Sequence, residues 1–233
     1  MWDRKNLKKN AREFLKKEYW KAVVGSLVLM ICSGTGLAVS SGKLSGQEEN
    51  EKLTDAINAM EPEILFIGVL ATLSVLAVAG VVHLLISVFV FNPLEVGAQK
   101  LFINCRDDHA EYGNIVYHLK NSYLNAVKTL FLRGLFITLW SLLFVIPGII
   151  KSYEYRMIPY LLAEDPQMES GEAFARSKEM MRGNKWGAFV LDLSFVGWYF
   201  LSGFTCGIVG LFYAAPYHNM TNAELYHRLK ELA

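Results

Sequence analysis

Apolar residues run in blocks along this chain, and polar residues gather between them. The first block is Trp20 to Val39, and the second is Ile64 to Phe91. The third, Ala126 to Ile146, carries Arg133 in its first half. The fourth, Ile149 to Ala163, is interrupted by Lys151, Glu154 and Arg156. The fifth, Trp186 to Leu201, contains Asp192, and the sixth runs from Gly203 to Met220. A bilayer core takes about 20 apolar residues of helix. The first block therefore fits one crossing, whereas the longer second block must tilt or project. The pattern predicts an all-α polytopic membrane protein with six transmembrane helices, folded as a single integral membrane domain over 1–233. Ile146-Pro147-Gly148 predicts a tight apex between the third and fourth spans, because proline fixes φ and glycine permits a turn. Leu201-Ser202-Gly203 predicts another between the fifth and sixth.

The segments before the hairpins have helical periodicity. Leu7, Ala11, Phe14 and Leu15 share one face in the first, with lysines elsewhere. Tyr112, Ile115, Val116 and Leu119 recur in the second, and Ala173, Phe174, Ser177, Met180 and Met181 in the third. Such stripes suit amphipathic cytoplasmic helices lying at a membrane surface. Each apolar hairpin then ends near a proline: Pro93, Pro159 or Pro216. A helix-plus-hairpin unit repeated three times fits this layout, with units at 1–103, 104–168 and 169–233.

Composition agrees with insertion in a membrane. Apolar residues are 53% and charged residues 19% of the chain, against roughly 25% charge in a soluble globule. The net charge of +1 hides a sided distribution. Residues 1–21 hold eight basic and three acidic side chains, whereas 41–62 hold two basic and five acidic ones. The connectors with Lys100, Arg106 and Lys120, and with Arg176, Lys178, Arg182 and Lys185, are also basic. Positive residues stay cytoplasmic, which predicts that both termini are inside and the acidic loop outside. The basic region spans about 21 residues and the apolar run about 20, which reads as an uncleaved first span rather than a signal peptide. With no basic surplus, nucleic acid is not an expected partner.

The few charges within apolar blocks are the candidate chemistry, since charge in hydrocarbon is costly and faces a partner or a cavity. Arg133, Lys151, Glu154, Arg156 and Asp192 form the candidate intramembrane polar or lipid-headgroup site. Arg133 can snorkel, or it can pair with Asp192 from a neighbouring hairpin. Lys151 and Glu154, three residues apart, can pair on one helix face. With Arg156 and the surrounding Tyr153, Tyr155 and Tyr160, they offer a half-membrane pocket for a phosphate or lipid headgroup. Cys32, Cys105 and Cys206 are scattered and read as small apolar residues. His83 reads as a packing residue. No HExxH, CxxC, phosphate-loop or GxSxG motif occurs, so no cofactor, metal or catalytic residue is expected.

Several blocks together carry a family resemblance: Ile146-Pro147-Gly148 through Arg156-Met157-Ile158-Pro159-Tyr160, Leu161 to Pro166, Glu172 to Trp186, and Leu191 to Trp198. Over about residues 90–230 the chain resembles the bacterial integral membrane proteins grouped as domain of unknown function 975. The resemblance implies a bacterial plasma membrane location and brings no established substrate, cofactor or catalytic residue. Three readings of function remain. The first is noncatalytic binding, sensing or movement of a lipid or amphiphile, with anionic lipids as partners of the basic helices. The second is a membrane scaffold or partner subunit, including a homo-oligomer. The third is an enzyme acting on a lipid headgroup, which needs convergent carboxylates or histidines that the sequence does not display.

Overall fold

A computed structural model describes residues 2–33, 62–106, 110–120 and 122–232. The acidic connector before Pro62 lies outside the described residues, as do Asp107, Asp108 and His109. Helix is the regular structure throughout the described part. The elements are α1 (Arg4–Lys17), α2 (Tyr19–Cys32), α3 (Pro62–Ile86), α4 (Asn92–Arg106), α5 (Gly113–Lys120) and α6 (Tyr123–Leu143). After these come α7 (Val145–Glu154), α8 (Ile158–Glu164), α9 (Ser170–Met180), α10 (Lys185–Leu193), α11 (Val196–Phe204) and α12 (Ala215–Leu232). Single π-helical turns, Ser87–Phe91 and Gly210–Ala214, lead into α4 and α12.

Burial divides the longer helices lengthwise. In α6, Ala126, Val127, Thr129 and Leu130 are buried, whereas Leu135, Leu139, Leu142 and Leu143 are bare. The helix running from α3 into α4 is exposed and apolar up to Val90, then buried at Val96, Leu101, Phe102 and Cys105. The buried ends converge on one core. It takes Leu7, Ala11 and Leu15 from α1, Ile158 and Leu162 from α8, Ala173 from α9, and Tyr217, Tyr226 and Leu229 from α12. A helix that is apolar on every side belongs in lipid or against another chain, so the bare ends mark the membrane-facing part. The stripes of α1 and α9 have a different destination from the lipid expected. Protein covers them: α1 packs along α12, where Asn10 Nδ2 donates to Glu224 Oε1 at 3.0 Å.

Six transmembrane helices in three helix-plus-hairpin units are not what the chain forms. Among the described residues, three helices are long and apolar enough to cross a membrane: Phe66–Arg106, Tyr123–Leu143 and Lys185–Phe204. A shorter apolar helix, Tyr19–Cys32, accompanies them. The fourth apolar block divides into α7, of 10 residues, and α8, of 7. Every residue from Ile158 to Ala163 is buried, so that hydropathy serves the protein core and not a bilayer. The sixth block breaks at Cys206 and Gly207, which both have positive φ, and then feeds the buried α12. Cys206 is exposed in this turn, three residues past the apex expected at Leu201-Ser202-Gly203. The apex between α6 and α7 falls at the extended Phe144. Gly148 lets the two arms touch, because a Cβ there would lie 2.7 Å from the Ser141 Cα.

Two of the prolines share a device. Proline has no N–H and clashes with the carbonyl four residues back. A π turn just before Pro93 and before Pro216 absorbs that clash and leaves carbonyls without their helical donors. The Tyr123 hydroxyl donates to the Phe89 carbonyl at 2.6 Å, and the Tyr19 hydroxyl to the Phe212 carbonyl at 2.8 Å. Each tyrosine opens a different apolar helix, so each bond ties two helices where they leave the core. Tyr19→Phe and Tyr123→Phe are each expected to lower stability by about 1 kcal/mol. Thermal unfolding in detergent checks this, and melting unchanged in both variants would show the carbonyls to be satisfied otherwise.

Candidate functional site

Asp192 on α10 is the centre of the largest polar cluster. Arg156, in the turn between α7 and α8, meets it bidentately at 2.7 and 2.8 Å. The Tyr153 hydroxyl donates to Oδ2 at 2.8 Å, and His218 Nε2 lies 2.9 Å from Oδ1. A carboxylate offers about four acceptor positions, and all are used. Since it can only accept, His218 carries its proton on Nε2 here. The other ring nitrogen, Nδ1, shares a hydrogen bond of 2.9 Å with the Tyr199 hydroxyl. Arg156 also donates to Asn222 Oδ1 at 2.8 Å, and its guanidinium stacks on the Tyr153 ring. The cluster therefore joins α7, α10, α11 and α12.

Glu154 forms a second, neighbouring cluster. It is 4% exposed, and a buried carboxylate needs compensation. Lys151 donates to Oε1 at 2.9 Å and Lys185 to Oε2 at 2.6 Å. The Lys151–Glu154 pair has the three-residue helical spacing noted from sequence. Lys185, at the start of α10, turns that pair into a bond between hairpins. The Ser177 hydroxyl fixes the same corner by donating to the Glu154 carbonyl at 2.8 Å.

Arg133 belongs to neither cluster. It donates to Glu95 Oε1 on α4 at 2.8 Å, and Asp192 is taken by Arg156. Of the five candidate residues, Arg133 is the one that lines a cavity of about 660 Å³. Its wall is polar at Glu95, Arg133, Tyr199 and Asn219 and apolar at Leu29 and Met30. The buried Arg133 Nε has no hydrogen-bond partner among the described residues. Tyr199 reaches both the cavity and His218, so the cavity connects through one hydroxyl to the Asp192 cluster.

Sequence reasoning missed Glu95, Tyr199 and His218. A signal for two of them existed. Glu95 and His218 each stand two residues past a proline that ends an apolar run, where the chain enters the core. His83, by contrast, sits on the exposed length of α3. Among the described residues, no group of three or more His, Cys, Asp or Glu is placed to hold a metal ion.

Membrane-length helices with bare apolar ends make this a multi-pass membrane protein. Residues 142–233 match the family described as Protein of unknown function (DUF975). That match takes in the end of α6 and everything after it, a shorter stretch than the resemblance over 90–230. No curated protein and no solved structure matches the chain.

Proposed function

We propose that the protein is a noncatalytic membrane protein that holds a lipid or other amphiphile in the cavity beside Arg133. The cavity carries the reading. Its volume of about 660 Å³ falls in the range of roughly 300–1,000 Å³ usual for small-molecule sites. Its wall divides as an amphiphile does, with Glu95, Arg133 and Tyr199 for a polar head and Leu29 and Met30 for a chain. The orphaned Arg133 Nε supplies an unused donor. The saturated Asp192 argues against a headgroup enzyme, because it has no lone pair to spare for proton transfer. The basic connectors support an orientation with both termini in the cytoplasm, and the family resemblance supports a bacterial plasma membrane.

Mass spectrometry of the intact protein, released from nanodiscs of bacterial lipid extract, tests the reading. Wild type should retain a bound amphiphile. Arg133→Ala should reduce its occupancy about tenfold, the loss expected for one charge-assisted hydrogen bond. Tyr199→Phe should reduce it less. Equal occupancy in wild type and both variants would overturn the proposal.

A second reading, a scaffold or partner subunit, rests on α3. No residue in its most apolar stretch is buried in the protein, which leaves a helix-length surface for another chain. Cysteine crosslinking along α3 tests this: a face-specific ladder of crosslinks supports a partner, and uniform accessibility to a lipid-soluble label refutes one.

A further inference from the structure

The polar face of α1 lines a cavity of its own, about 380 Å³ in volume. Lys5, Lys8, Lys9, Arg12 and Lys16 border it, with Glu13 and Tyr217. Some cations outside the groove meet carboxylates: Lys21 meets Glu18 at 2.8 Å and Arg176 meets Glu172 at 2.7 Å. None of the five groove cations has such an ion pair among the described residues. Two of them are held by aromatic rings. Lys8 Nζ lies 4.3 Å from the centre of the Phe195 ring, and the Arg12 guanidinium 5.1 Å from that of Tyr217. Arg12 also shares a side-chain hydrogen bond with Tyr217; its other N–H groups, and those of Lys8 over its ring face, are left for an anion. Burial, with Arg12 and Arg4 nearby, lowers the Lys8 pKa from its ordinary value. A bound anion would relieve that crowding.

The depth of the groove points to the source of the anion. Phe195 belongs to the membrane-length segment Lys185–Phe204, and Tyr217 follows the proline at which the last apolar run enters the core. The apolar stripe of α1 is spent on the core at Leu7, Ala11 and Leu15. The helix therefore meets the membrane through charge and not by insertion. We propose that this groove binds a phosphate group at the membrane surface, carried by an anionic lipid headgroup, with Arg12 as the forked donor and the lysines as point charges. The groove shares no residue with the Arg133 cavity, so either proposal can fail without the other.

The test uses the full chain in phosphatidylcholine nanodiscs with and without phosphatidylglycerol, read by mass spectrometry of retained lipid. A second arm titrates inorganic phosphate into the phosphatidylcholine discs. Wild type should retain phosphatidylglycerol in preference to phosphatidylcholine. Lys8→Gln with Arg12→Gln should cut that retention about tenfold or more, since each cation near an anionic surface contributes appreciably. Lys178→Gln with Arg182→Gln, equal in charge but on and just beyond α9, should leave it unchanged. Lys8→Arg with Arg12→Lys should restore most of it, separating charge from folding. Phosphate saturation that appears in wild type and vanishes in the groove variant would assign a soluble phosphate and keep the site. Equal loss in both glutamine pairs, or no loss in the groove pair, would overturn it.

Discussion

Replacing Asp192 by alanine should cost about 3 kcal/mol, the lower end of the penalty for breaking a buried ion pair, because Arg156 and Asp192 are part-buried. The loss has identifiable parts. Arg156 would keep Asn222 and the Tyr153 ring but lose both carboxylate oxygens. The Tyr153 hydroxyl and His218 Nε2 would lose their acceptor in the same stroke. Since four helices meet through these bonds, the damage should spread beyond one contact. Asp192→Asn keeps an acceptor and should fall between wild type and alanine. The double replacement Asp192→Leu with Arg156→Met removes both charges and should recover much of the stability. Thermal unfolding in detergent checks the series. If Asp192→Ala melts with wild type, the cluster is not the clamp described.

The same series separates the clamp from the cavity. The route between them is Asp192, His218, Tyr199, each one hydrogen bond from the next. The carboxylate holds the His218 ring through Nε2, and the ring holds the Tyr199 hydroxyl through Nδ1. Losing Asp192 frees the ring, and with it the position of the hydroxyl that faces the cavity. Tyr199→Phe breaks the route at its other end and leaves the four-donor arrangement at Asp192 intact. Amphiphile retention should therefore respond to Tyr199→Phe with little change in melting, whereas Asp192→Ala should disturb both.

Hydropathy located the apolar blocks but could not say what covers them. Ile158 to Ala163, and Ala215, Tyr217 and Met220 at the end of the sixth block, look like span in a sequence, and both are protein core. A residue removed from water has the same composition whether lipid or protein removes it, so a span count from hydropathy overshoots here. Charge pairing was legible only where it was local. Lys151–Glu154 follows from helical spacing. A pairing of Arg133 with Asp192 rests only on similar depth in neighbouring hairpins, which for Asp192 is about 9 Å beyond Trp186 by helical rise. Depth along an axis says nothing about which neighbour a side chain faces, and Arg133 faces Glu95. The cavity itself was not legible, because its wall is drawn from several helices far apart in sequence.

Gly97→Ala should be among the most damaging single-methyl changes in the molecule. A Cβ at Gly97 would stand 1.9 Å from the Ile115 carbonyl oxygen, 2.6 Å from its carbon and 2.9 Å from its Cα. These are backbone atoms, so no rotamer change can clear them. α4 and α5 would have to part, and the pair lies against fully buried side chains such as Val96, Phe102 and Cys105. Overpacking usually costs about 1–3 kcal/mol, and a backbone clash belongs at the upper end or beyond. Two glycines on α3 supply the control. A Cβ at Gly68 or Gly80 meets nothing within 4 Å, and alanine is the better helix former by about 1 kcal/mol. Gly68→Ala and Gly80→Ala should therefore match or exceed wild type in thermal unfolding, while Gly97→Ala falls well below it. Equal melting of Gly97→Ala and wild type would mean that α4 and α5 do not pack backbone to backbone.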